Sequence, residues 1–232
     1  MKKILAIILA SLMLISLVAC GNGNNEETTT EAPVKNEETT LGGNEEITTE
    51  APAEETKSAE EMLNAVLDGF YDQVAPLFGS EEYTPSVDEV KSYYSGGYYG
   101  ETEDTFCVGA AKNVPLDDEM AIGALMSGTL ISTENIEKID DAALFFFMNS
   151  NNFTTFVYHV KNEGDVATIA NDFEGAVTTN MWICGFPELY YAIQVGDYIF
   201  AGFGLESQIN AIKSVISSTY ENATVVCEGI IR

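Results

Sequence analysis

AALFFFMNSNNFTTFVYHVKNEGDVATIANDF (Ala142–Phe173) changes its hydrophobic period twice, and that change decides the fold. Ala142–Met148 is an unbroken apolar run, which reads as a buried strand. Asn149–Asn152 is polar and turns the chain. Thr154–Val160 alternates, with Phe156, Tyr158 and Val160 on one face and Val157 with His159 on the other. From Asp165 to about Phe173 the spacing becomes helical, with Val166, Ile169 and Ala170 facing in. The same order returns in ELYYAIQVGDYIFAGFGLESQINAIKSVISS (Glu188–Ser218). There Glu188–Val195 and Tyr198–Phe203 are strands, and Gly196-Asp197 between them is a hairpin signal. Glu206–Ser218 places Ile209, Ile212, Val215 and Ile216 on one helical face. Val157–Ile169 aligns loosely with Ala201–Ile212, and Ala223–Cys227 offers a last strand. Two strand-strand-helix units in tandem predict an α+β domain: an antiparallel sheet with helices packed on one face.

Residues 58–140 read as a mainly helical half of the same domain, which spans 58–232, with 141–232 as the repeat half. Ser58-Ala-Glu-Glu61 and Ser86-Val-Asp-Glu89 are capping boxes. The first opens a helix through Leu63, Val66, Leu67, Phe70, Val74 and Leu77, ended by Pro76 and Gly79. The second opens a short helix towards Tyr94. YYSGGYYG (Tyr93–Gly100) reads as a turn, and Thr105–Ala110 as a strand. Asp117 is placed to cap a helix to about Ser127, with Met120, Ala121, Ala124 and Leu125 on one face.

The chain before Ser58 has a different chemistry. Met1-Lys2-Lys3 is a positive start, and Ile4–Ala19 carries no charge. These are the n- and h-regions of an export signal, too short and wrongly flanked for a membrane span. Leu17-Val18-Ala19-Cys20 resembles the lipobox of bacterial lipoproteins, with small Gly21 after it. That resemblance implies cleavage after residue 19 (signal peptide 1–19) and a diacylglycerol thioether on Cys20. It further implies a fatty acyl chain, such as palmitate, on the new amine. Two or three acyl chains anchor stably where one does not. Residues 20–57 are then a tether. NEETTTEAP (Asn25–Pro33) recurs as NEEITTEAP (Asn44–Pro52), with NEETT (Asn36–Thr40) between them. Such a composition buries too little apolar area to offset ordering entropy, so a disordered, self-repelling spacer is expected.

Lys and Arg together number 10 against 37 Asp and Glu, a formal net charge of −27. Phosphate-reading surfaces need clustered cations, so nucleic-acid binding is excluded as a function class. Docking of the acidic body on anionic lipid is excluded on the same ground. With Cys20 lipidated, Cys107, Cys184 and Cys227 remain; they permit at most one bridge, Cys184–Cys227 or Cys107–Cys184. No Cys/His spacing suits zinc, and no metal or cofactor is expected.

FTTFVYHVKNEGDVATIANDF followed by YYAIQVGDYIFAGFGLESQINAIKSVI resembles an uncharacterised domain of clostridial surface lipoproteins, over about Asp141 to Tyr220. The chain lacks the basic residues that family carries after its first helix. The resemblance implies a strand, a helix, a hairpin at Gly196–Phe200 and a closing helix, and no activity.

No residue pattern demands catalysis. His159 is the single histidine, has no identifiable partner, and reads as a polar residue on a strand's outer face. Gly202-Phe-Gly204 lacks the third glycine of a dinucleotide fingerprint. The acidic clusters Glu101–Asp104 and Asp117–Glu119 lack the spacing of a calcium loop. Tyr93, Tyr94, Tyr98 and Tyr99, around Ser95-Gly-Gly97, are the candidate contact residues for a sugar or a protein. The expectation is a non-catalytic binding or assembly module, held by lipid on the extracellular face of the cell membrane, with an envelope protein or glycan as partner. The alternatives are an envelope hydrolase or transferase with an acidic site, and a small-ligand sensor with a cavity between the helical half and the sheet.

Overall fold

The structure, a computed structural model, describes residues 56–98, 105–149, 153–183 and 185–231. The leader, Cys20, nearly all of the tether, Tyr99, Glu101–Asp104 and Cys184 lie outside them. In chain order the elements are α1 (Ala59–Val74), α2 (Val87–Lys91), β1 (Tyr94–Gly97), β2 (Phe106–Val108), β3 (Lys112–Asn113), α3 (Glu119–Thr129) and α4 (Thr133–Ile136). They continue with β4 (Ile139–Phe147), β5 (Phe153–Val160), α5 (Val166–Thr179), β6 (Leu189–Val195), β7 (Tyr198–Gly204), α6 (Glu206–Thr219) and β8 (Thr224–Ile230).

The fold is α+β. One antiparallel sheet runs β2-β1-β4-β5-β7-β6-β8, and β3 pairs with β4 beyond β1. Hairpins β4–β5 and β6–β7 meet along β5 and β7, where Phe156 faces Ala201 and Tyr158 faces Ile199. Gly196 takes the left-handed conformation of the β6–β7 turn, φ 61°.

The helices do not share one face, as the sequence reading expects. α1 and α6 pack on one side, with Phe70, Phe145, Phe153, Val157, Phe200 and Ile212. α3 and α5 pack on the other, with Leu125, Phe156, Tyr158, Phe173, Ile199 and Phe203. Topology supplies the reason. β5 and β6 are parallel with β7 between them, and α5 joins them. β7 and β8 are parallel with β6 between them, and α6 joins them. Both crossovers step towards the β8 edge, but β5 and β7 point in opposite directions. Crossovers of one hand must then place their helices on opposite faces. The central strands are covered on both sides, which is why β7 is buried at every position.

The helical half contributes β1, β2 and β3 to the sheet as well as helices. Both capping boxes form: Ser58 Oγ accepts from Glu61 N at 3.2 Å, and Ser86 Oγ from Glu89 N at 3.2 Å. The first helix stops at Val74 and passes into a short 3-10 turn, so Leu77 points outward. The cap of α3 is Asp118, one residue beyond Asp117, and Met120 is exposed. Tyr94–Gly97 is a strand, not a turn. Its glycines permit a close approach of neighbouring chain: a Cβ on Gly96 would sit 2.3 Å from Lys112 N. Gly97 adds a left-handed φ of 84°.

The two sheet edges differ. β2 has three residues. β8 is longer but carries a bulge at Val226, since Ala192 faces Cys227 and Ile193 faces Val225. Short or bulged edges resist pairing with a further chain.

Candidate functional site

The loop between α5 and β6, Asn180–Glu188, holds NMWICGFPE. It leaves α5 after Thr179 and is fastened where it enters the sheet. Glu188 N donates to Gly204 O at 2.8 Å, and Ile231 N to Glu188 O at 2.9 Å. Glu188 Oε2 accepts from Glu206 N at 2.8 Å, tying the loop to the start of α6. Gly185 and Pro187 are buried. Trp182 lays its ring on Phe203, centroids 4.8 Å apart, and its indole N–H is buried without an acceptor among the described residues.

On this fixed base three large apolar side chains face water: Met181 is 84 % exposed, Ile183 80 % and Phe186 73 %. Beside them Asn180, Trp182, Phe186, Pro187 and Ile231 line an open hollow of about 290 Å³. Isolated apolar residues on a surface need no explanation, but a cluster on one short loop does. Fully burying such a side chain is worth roughly 1.5–3 kcal/mol, which the free fold forgoes at each of them. The sequence reading touches Met181–Phe186 only through Cys184, as a candidate for a bridge. The usable signal is an aperiodic apolar run closed by Gly-Phe-Pro, between a helix and a strand.

Of the four tyrosines, the three described do not form an exposed contact patch. Tyr94 is fully buried, ring to ring with Phe145 at 5.3 Å, and its hydroxyl accepts from Gln208 Nε2 at 2.7 Å. Burial raises its pKa. Tyr98 is also buried and donates to Asp118 Oδ2 at 3.1 Å. Tyr93 is half-buried against Phe78 at 5.5 Å. Tyr99 lies outside the described residues. Strand alternation across β1, with no bend at Ser95–Gly97, sends Tyr94 into the core.

His159 has partners that the sequence does not reveal. Its Nδ1 is 2.5 Å from Asp140 Oδ1, its Nε2 is 3.7 Å from Asp197 Oδ2, and its ring lies 4.8 Å from that of Tyr198. It is not on an open outer face: its side chain is 21 % exposed. A general base needs a ring nitrogen turned to substrate. Here both face carboxylates, so the residue ties β4, β5 and the β6–β7 turn together.

Other candidates have structural duties. The Asp118 carboxylate accepts from Met120 N at 2.8 Å and Ala121 N at 3.3 Å, which holds its pKa below the usual range. Gly202 sits where a Cβ would be 2.4 Å from Thr154 O, so this glycine serves strand packing. Cys107 and Cys227 are free thiols at opposite edges of the sheet. Burial pushes the Cys227 thiol up to about 11, away from nucleophilic reactivity. The enclosed space between α3, α4, α5 and the sheet is about 10 Å³, room for one water; an open hollow of about 370 Å³ lies where Lys57 and Met62 meet Tyr198 and Tyr220. Among the described residues no cluster of three His, Cys, Asp or Glu is placed to hold a metal ion. No helix among them is long and apolar enough to cross a membrane.

No protein family, curated protein or solved structure matches the chain.

Proposed function

We propose that this chain is a surface lipoprotein, anchored through Cys20, whose folded domain is a non-catalytic binding or assembly module acting through the Asn180–Glu188 loop. The observation that carries the binding role is the exposure of Met181, Ile183 and Phe186 on a loop whose Trp182 packs on Phe203 and whose end, Glu188, is bonded to the sheet. Preorganised apolar groups lose little entropy on association and gain their burial energy only with a partner. The charged start, the uncharged run to Ala19 and Cys20 support export and lipid attachment, and residues 20–57 supply the reach of a spacer.

The test compares the full chain with a variant carrying Met181→Ser, Ile183→Ser and Phe186→Ser, both released from the cell envelope in mild detergent. The wild type is expected in a larger assembly and the variant as a free chain. Equal sizes for the two, at the mass of a monomer, would refute the binding role. For the anchor, radiolabelled palmitate is expected on the wild type and not on Cys20→Ser. Label on both, or on neither, would refute attachment at Cys20.

A further inference from the structure

We infer that the Asn180–Glu188 loop docks on a protein whose surface offers an apolar pocket inside a rim of Lys and Arg. The inference rests on the binding role proposed above and adds the chemistry of the partner. Two observations carry it. The centre of the site is apolar and uncharged: no ionisable residue lies between Glu174 and Glu188 apart from the thiol of Cys184. Carboxylates predominate in the surround, where the one cation adjacent in sequence to a lining residue is Arg232, next to Ile231. Glu188 and Glu206 are joined at the loop's root, and Glu174 accepts from the Tyr190 hydroxyl at the start of β6. None of these three carboxylates is in an ion pair with a Lys or Arg among the described residues. An apolar centre inside a charged rim is the anatomy of a protein interface, the centre supplying affinity and the rim steering and selection.

The charge of the body decides among occupants. From Ser58 onward the basic residues are Lys91, Lys112, Lys138, Lys161, Lys213 and Arg232 alone. Lys91 is paired with Asp68 and Lys213 with Glu228. A second copy of this chain would bring the same negative field to the interface, and an anionic lipid surface would repel it. A basic protein surface is attracted by the field and covers the apolar centre. The β8 edge offers no competing mode, because its bulge breaks the ladder a second strand would extend.

The test uses the full chain in intact cells, with Ile183→p-benzoylphenylalanine as a photo-crosslinking probe and Asp72→p-benzoylphenylalanine on α1 as control. The expected result is an adduct from position 183, absent from position 72, with one other protein whose crosslinked surface is rich in Lys and Arg. Binding of that purified protein to the full chain should fall at least about ten-fold with Phe186→Ser. It should also weaken at least about ten-fold when salt rises from about 50 mM to about 500 mM, as screening of a charged rim requires. Phe186→Ser must keep the wild-type unfolding midpoint, which separates lost contact from lost fold. A protein adduct with an acidic or salt-insensitive partner overturns this inference and leaves the binding role standing. An adduct with a second copy of the chain does the same. An adduct with lipid only, or none at all, overturns both.

Discussion

At the end of the sheet where Lys57 enters, polar groups are matched; at the other end, large apolar side chains are exposed. Tyr198 begins β7 and donates its hydroxyl to Lys57 O, while Tyr220 donates to Met62 O at 2.8 Å. Asp141 Oδ2 accepts from Ala59 N at 2.6 Å, and His159 is held between Asp140 and Asp197. Five residues along the same strand, Phe203 supports Trp182, and Met181, Ile183 and Phe186 are largely exposed. One end spends its contacts on holding α1 to the sheet, beside an open hollow of about 370 Å³ lined by Lys57, Met62, Tyr198 and Tyr220. The other contributes little to stability and keeps its apolar surface available.

The contrast can be broken by substitution at either end. Tyr198→Ala removes a buried ring from His159 and the hydroxyl from Lys57, and it should destabilise the fold by about 3 kcal/mol in urea unfolding. A loss under about 1 kcal/mol would mean that the tethered end is not built as described. Ser58→Ala removes the cap of α1 and should cost about 1 kcal/mol, with faster amide exchange in the first turn of that helix. A smaller effect should appear with alkali. Burial raises the Tyr220 hydroxyl from 10.0 to about 12. A raised folded value means the contribution is complete below pH 10 and is lost as pH climbs towards 12. The unfolding midpoint should therefore fall across that window, and fall less steeply in Tyr220→Phe. Smallest of all, Ile183→Ser or Phe186→Ser should shift stability by no more than about 0.5 kcal/mol, because each side chain is already in water. A large loss there would turn the loop from a docking element into a structural one.

The strand-strand-helix order was legible because periodicity is local: β5 alternates, and α5 and α6 keep a helical face. Capping boxes at Ser58 and Ser86 were legible for the same reason. Which face each helix covers is not local, since it follows from strand order and direction. Part of the signal was nonetheless present. AALFFF and YIFAGFG have no polar alternate positions, as strands covered on both sides require. Tyr94 was misread because two glycines suggest a bend, whereas here they admit a neighbouring strand. The loop at Met181–Phe186 is marked in the sequence only by its aperiodic apolar run closed by Gly-Phe-Pro, and such a run looks the same whether buried or exposed. His159 was read as solitary because Asp140 and Asp197 come from other elements, which the sheet alone brings together.

The placement of these two ends has a mechanical consequence. Force applied between Lys57 and the Asn180–Glu188 loop would enter the fold through α1, which follows Lys57, and through α5 and β6, which flank the loop. The contacts that hold the start of α1, among them Tyr198 to Lys57 O, Tyr220 to Met62 O and Ala59 N to Asp141, would bear it first. Were the chain leashed at Lys57 as proposed, the seating of α1 would set how hard a pull the body withstands.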